Sequence, residues 1–235
     1  MQIIDEEWSW EKINLEKFIE EKNYPQSWKD FFERQDVLEE LRKISENLDY
    51  TVGEIYPRIN NLFRAFIPLE KIKVVILGQD PYHDGNAVGL CFSVAPNRKI
   101  NPSLRNIYNE LENEGYKIVK NGSLVHWMKQ GCFMLNTALT VERGIPNSHT
   151  AFWYNFTRYV IQYISEGTDN ISWLLMGKNA IEFRQYIHND THNIFCTSHP
   201  SPFSANKNIG EDIPSFLGSN VFNKINEKIL EKIVW

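Results

Sequence analysis

Cysteine is scarce, with only Cys91, Cys132 and Cys196 in 235 residues, and no two share the C-x-x-C spacing that chelates zinc or an iron-sulfur cluster. They are expected as buried core thiols in a reducing compartment, and neither metal nor cofactor is expected. A run of ~18 apolar residues is also missing, and Met1 to Trp10 carries acidic side chains instead of a basic, apolar signal core. The expectation is a soluble, unexported chain with no membrane partner, cytoplasmic, or nuclear if the source is eukaryotic or viral. Excess positive charge is lacking too. The 25 Lys and Arg against 30 Asp and Glu leave a formal charge of -5, so general phosphate attraction by counterion release is not available over the whole surface. Any contact with nucleic acid must rest on local chemistry. Repeats, low-complexity tracts and linkers are absent as well.

What is present is enough apolar material for one substantial core, 42% of the residues. Residues 26 to 46 carry Trp28, Phe31, Phe32, Val37, Leu38 and Leu41 at helical spacing, with Ser27 placed to cap. Val74-Val75-Ile76-Leu77 reads as a strand covered on both faces, and similar buried runs recur at 132–135, 171–176 and 193–196. Helical patterns lie between them. One opens at Asn101-Pro102-Ser103, with Asn101 as cap and Pro102 at the first position, and others cover about 151–165 and 178–187. A last helix is expected at about 220–232, packed on the outside, and Ser204 to Asp212 reads as a surface loop. The fold class expected is α/β: a single domain with a central four-stranded, parallel, twisted sheet flanked by helices. It would comprise an N-terminal helical region over about 1–70 and a catalytic α/β core over about 71–235.

Ligands of such sheets sit beyond the carboxyl ends of the strands. That rule selects Gln79, Asp80 and Tyr82 after the first strand, Asn136 after the second, Gly177 and Lys178 after the third, and Ser198, His199 and Ser201 after the fourth. A convergent Asp, His, Asn and Tyr suits hydrolysis of a bond whose departing group becomes anionic while the remaining carbon becomes cationic. Breaking an N-glycosidic bond is one such reaction. Taken alone, Asp80 is more commonly a helix-capping or turn residue before Pro81, and His199 ordinarily a surface-loop histidine. His188 and His192 stand one helical turn apart, without partners at zinc spacing, and His126 reads as structural.

Gly78-Gln-Asp-Pro-Tyr-His83, Gly89-Leu-Cys-Phe-Ser-Val94, Pro102-Ser-Leu104, Leu135-Asn-Thr137, Leu139-Thr-Val141, Asn147-Ser-His149 and His199-Pro-Ser-Pro202 together resemble the uracil-DNA glycosylase family, in its order, over roughly Ile55 to Phe222. The resemblance implies a DNA repair hydrolase that flips uracil out of single- or double-stranded DNA and cuts its N-glycosidic bond. Asp80 would position the attacking water and stabilise an oxocarbenium-like sugar, and His199 would stabilise the departing uracil anion. Asn136 would read the uracil edge, Tyr82 exclude the thymine methyl, and Phe92 stack on the base, with Gln79 lining the pocket. Pro102, Ser103, His149, Lys178, Pro200, Ser201 and Ser204 would contact DNA, with Phe203 as the wedge that fills the vacated space. Proteinaceous glycosylase inhibitors are implied partners, and a monomer is implied.

The chain departs from the family pattern in places. Phe203 stands where Leu is usual, the 84–88 loop is one residue shorter with Val88 where His is common, and Asn101 replaces a Pro. Met176 replaces a frequent Trp, Lys178 a frequent Ser, and the stretch 204–216 is longer than typical. Two alternatives follow: a DNA-binding or polymerase-associated relative with reduced or lost activity, or a glycosylase of broader choice that also takes mispaired thymine.

Overall fold

A computed structural model describes residues 15–21 and 24–235. The start of the expected N-terminal helical region, 1–14 with 22 and 23, lies outside the described residues. Helix α1 spans Leu15–Glu20, α2 Lys29–Phe32 and α3 Gln35–Leu48. The single helix expected over 26–46 is therefore broken. Gln26–Trp28 form a 3-10 turn, and the chain extends at Arg34 before α3 begins. Asp36 marks the break: its carboxylate accepts from the Arg34 guanidinium at 2.6 and 3.0 Å and from the Val37 amide at 3.0 Å, satisfying one orphan amide of the first turn of α3. Ser27 does not cap; its hydroxyl accepts from the Leu69 amide at 3.0 Å.

A short strand β1 (Ile55–Tyr56) precedes β2 (Val74–Gly78), followed by α4 (Pro102–Asn113), α5 (Val125–Lys129), β3 (Cys132–Asn136) and β4 (Val141–Glu142). Then come α6 (Thr150–Gly167), β5 (Ser172–Met176), α7 (Lys178–Glu182), β6 (Asn193–Thr197) and α8 (Val221–Lys228). Strands β3-β2-β5-β6 form a parallel sheet in that order, while β1 and β4 pair antiparallel. The α/β class and the four parallel strands are as the residue patterns predict. All five residues of β2 and of β5 are buried, which is why these runs are apolar throughout. Residues 193–196, in β6 at one of the two edges of the sheet, are only half-buried.

One aromatic cluster ties the N-terminal helices to the sheet. Trp28 stacks on Phe133 of β3 at 5.6 Å and donates its indole N–H to the Ile67 carbonyl at 2.7 Å, while Phe31, Phe32, Phe63, Phe66 and Phe156 fill the surrounding space. Helix α8 is shorter than expected and better buried: Phe222 packs on Trp127 and on Trp235. The buried Glu110 of α4 receives the amides of Gly218 and Asn220 at 2.7 and 3.0 Å, fixing the chain that enters α8. Glu114, one turn on, accepts the Phe222 and Asn223 amides, and burial pushes its carboxyl up to about 6. Among the described residues no helix is long and apolar enough to cross a membrane.

Gly89 marks a tight crossing that shapes the loop after β2. Its φ is +77°, and an added Cβ would lie 1.9 Å from the Asn61 carbonyl oxygen. Gly89→Ala is expected to destabilise the protein by more than about 2 kcal/mol, read as a fall in the urea midpoint with an unchanged denaturant slope.

Candidate active site

The site begins with a pairing in the sheet. Gly78, the last residue of β2, lies opposite Asn136, the last of β3, and a Cβ at Gly78 would meet the Asn136 Oδ1 at 2.5 Å and the Cys91 Cβ at 2.8 Å. Glycine here leaves the space that the Asn136 amide occupies. Beyond the pairing, the chain is locked by the Thr137 amide on the Gly78 carbonyl (3.0 Å), and by the Ala138 amide and the Thr137 hydroxyl on the Gln79 carbonyl at 3.0 and 2.8 Å.

Asp80 follows directly. Its Oδ2 accepts the Asn147 backbone N–H at 2.7 Å, and Asn147 Oδ1 accepts from Gln79 Nε2 at 2.5 Å. Burial raises the Asp80 carboxyl above its ordinary value, against the lowering by the Asn147 N–H and by His83. Asn147 itself sits at φ +64°, a conformation Asn tolerates better than most side chains.

His199 follows β6 across the pocket. Its Nδ1 accepts the Ser201 amide at 3.1 Å, so in the neutral ring the proton resides on Nε2. Burial holds the imidazole down to about 4, which keeps it neutral at physiological pH. Gly177 makes room behind it: a Cβ there would come within 2.8 Å of the His199 Cβ. The loop beyond closes on itself. The Ser204 hydroxyl donates to the His199 carbonyl at 3.2 Å and meets the Ser201 hydroxyl at 2.8 Å, while the Ser198 hydroxyl donates to the Ser204 carbonyl at 2.9 Å.

Phe92 and Tyr82 complete the walls. The Tyr82 hydroxyl donates to the Phe92 carbonyl at 3.1 Å, and the Phe92 ring lies 5.7 Å from that of His199. Phe92 adopts φ +61°, a strained setting for a bulky residue. Together these groups border a cavity of about 390 Å³, whose lining includes Gln79, Asp80, Tyr82, Phe92, Asn136 and His199.

Of the residues expected at DNA, Ser103, Ser201, Phe203 and Ser204 also line this cavity. Phe203 is 85% exposed, projecting from the mouth. Pro102 is exposed as the first residue of α4, and Lys178 is exposed at the start of α7, outside the lining. Two expectations are corrected. His149 is 1% exposed and lies between the Thr140 hydroxyl (2.8 Å) and the Thr51 hydroxyl (3.1 Å); burial holds it down to about 4, so it is an internal neutral bridge and does not reach DNA. Pro200 is buried, with its carbonyl accepting from Asn106 Nδ2 at 2.8 Å, so it shapes the loop without facing outward. Asn101 does not cap α4 either. Its Nδ2 donates to Asp84 Oδ2 at 3.2 Å, which ties the short 84–88 loop to the helix start. His192 Nε2 lies against the Ser165 carbonyl at 3.1 Å, which gives this ring a structural partner. Cys91 and Cys132 are buried free thiols, and Cys196 on the edge strand is half-buried. Sequence reasoning gave no role to Asn147, His83 or Pro146; the Asn147–His149 and Gly78–His83 segments were the signals for the first two, and Gly177 was selected only by its place after a strand.

A family model described as the uracil DNA glycosylase superfamily matches residues 65–230. A uracil-DNA glycosylase of Psychromonas ingrahamii is 41% identical over 222 residues, covering 89% of this chain and all (100%) of that protein. One of Alkaliphilus metalliredigens is 43% identical over 196 residues, covering 80% of this chain and 83% of its own. Among solved structures, mimivirus uracil-DNA glycosylase superposes with a TM-score of 0.82 at 31% identity, covering 95% of this chain and 90% of that one. A second mimivirus structure, a variant in complex with UGI, gives a TM-score of 0.84 at 31% identity over 95% and 91% of the two chains. With the family model spanning most of the chain, and a site assembled at the ends of its parallel strands, this protein belongs to the uracil-DNA glycosylase superfamily.

Proposed function

We propose that the chain is a DNA repair glycosylase that takes an extrahelical uracil into this cavity, hydrolyses its N-glycosidic bond and releases free uracil, leaving an abasic site. The observation that carries the reading is the placement of an anchored carboxylate, Asp80, and a neutral histidine with its proton on Nε2, His199, around one cavity that also holds Asn136.

In this mechanism the C1′–N1 bond breaks with its electron pair passing to uracil, and water adds to C1′. Asp80 orients that water and offsets the positive charge on the sugar. His199 donates from Nε2 to the developing anion at O2; a neutral donor held in place suits this task without transferring its proton. The Asn136 amide accepts from N3–H and donates to O4, a pattern that cytosine reverses. Tyr82 occupies the space a 5-methyl group needs, and Phe92 stacks on the base. Ser103, Ser201 and Ser204 with nearby amides grip phosphates, Lys178 adds a charge contact, and exposed Phe203 fills the gap left in the stack. Both loops that carry Asp80 and His199 are intact, which favours an active enzyme over a binding relative without activity. The whole chain, 1–235, acts as one unit in this reading. It is a monomer and works in the cytoplasm, or in a nucleus if its source has one, and a proteinaceous inhibitor is a fitting partner because a solved relative was captured with UGI.

Purified protein with chelator present is expected to release uracil from a uracil-containing oligonucleotide; an intact strand at high enzyme concentration would sink the proposal. Asp80→Asn should lower kcat by about 10²- to 10⁴-fold. Because Asp80 must be ionised and burial raises its carboxyl, wild-type kcat/KM should fall as pH drops, with the acid limb above the ordinary aspartate range. His199 adds protonation only near pH 4.

Asn136→Asp should begin to release cytosine, since a protonated Asp can donate to N3 and accept from the amino group; unchanged selectivity would remove Asn136 as the base reader. Tyr82→Ala should admit thymine, measured as thymine release from a T-containing strand. No gain there would count against exclusion by overlap.

A further inference from the structure

The segment Asn147-Ser148-His149 touches the site without a role in the mechanism above. Each of its residues is fixed by a separate bond. His149 is held between Thr140 and Thr51, and the Ser148 hydroxyl accepts the Glu142 amide at 2.8 Å, closing the turn after β4. Behind this, Thr140 also accepts from the Trp153 indole at 2.7 Å, joining the turn to α6. The anchored turn displays Asn147 at φ +64°, which aims its N–H at Asp80 Oδ2 and its side-chain oxygen at Gln79 Nε2, at 2.7 and 2.5 Å.

We propose that Asn147 is a positioning residue for the Asp80 carboxylate, acting with the Gln79 side chain as a brace. This rests on the reading of Asp80 as the group that orients water. With Oδ2 held by the N–H, Oδ1 remains for water and sugar. The Gln79 amide then serves the brace and does not read the base with its Nε2. The ring of three residues, Gln79, Asp80 and Asn147, links the end of β2 to the turn after β4, so the orientation of the carboxylate is decided by two chain segments far apart in sequence.

Few charged groups face Asp80. His83 approaches from its own loop. On the turn, Arg143 pairs with Glu54 at 3.2 Å and Glu142 accepts the Gly53 amide at 2.9 Å. Across the cavity His199 is neutral, and farther along the loop Asp84 is engaged by Asn86 and Asn101. Among the described residues no Lys or Arg bears on Asp80, so a change in the alignment of this N–H is not offset by one.

Asn147→Gly keeps the left-handed backbone and the N–H but deletes the oxygen that Gln79 grips. In the substrate-free protein, the Asp80 carboxyl titration followed by carbon-13 NMR is expected to move to higher pH. On a uracil oligonucleotide kcat should fall about tenfold, roughly the worth of one hydrogen bond, with KM unchanged and the acid limb moving with the titration. Asn147→Asp can still accept from Gln79 but sets a second carboxylate beside Asp80, so its Asp80 titration should move higher still. Gln79→Ala combined with Asn147→Gly should lose no more than the worse single variant. An unshifted Asp80 titration in Asn147→Gly, a loss confined to KM, or losses that multiply in the double variant would each overturn the brace. Inactivity of the wild type on uracil would sink the substrate reading alone, because the substrate-free titration still decides the brace.

Discussion

The site depends first on one contact, the register that sets Gly78 of β2 opposite Asn136 of β3. Parallel strands in register end at the same level, so the chain leaves both at one edge of the sheet. The absent Cβ at Gly78 lets the Asn136 amide sit against the backbone. Any side chain there would displace either Asn136 or Cys91, and with them the wall that carries Phe92. The carboxylate, the amide and the aromatic wall thus share one geometric origin.

Polarity in this pocket is managed by burial and by a few fixed donors, with little help from charge. Asp80 is raised by desolvation yet held by one amide, and His199 is lowered by desolvation and keeps a defined tautomer through the Ser201 amide. Both shifts disfavour the charged form: burial keeps His199 a neutral donor near neutrality, whereas it works against the Asp80 anion, which the Asn147 N–H and His83 favour. An overall charge of -5 is compatible with a DNA substrate in the proposed reading, where hydroxyls and amides at loop and helix ends, with Lys178, would meet the phosphates.

The loops that differ from the family pattern are also accommodated. The short 84–88 segment is gripped from two directions: the Arg64 guanidinium donates to the Val88 carbonyl at 3.1 Å, and Asp84 receives Asn101 from the start of α4. Most of 204–212 is exposed, as expected of a surface loop, but the longer 204–216 stretch is anchored near both ends. Ala205 and Phe216 are fully buried, and the Ser198 amide donates to the Pro214 carbonyl at 2.9 Å, so this stretch backs the histidine loop.

The amino-acid sequence by itself determined the four parallel strands, because their short, mostly apolar runs alternate with helical patterns, and it determined the residues just beyond them, because a chain must emerge where a strand ends. It misplaced what depends on partners distant along the chain. The break at Arg34 is marked by Asp36 beside it, but the burial of His149 needs Thr51 and Thr140 together, and nothing in a histidine's own neighbours tells an internal bridge from a DNA contact. Ser27 and Asn101 had the chemistry of caps, yet Leu69 and Asp84 claimed their polar atoms. The orientation of Asp80 was decided only in three dimensions, since the amide that holds it comes from the turn after β4, at a distance of 2.7 Å that no spacing along the chain encodes.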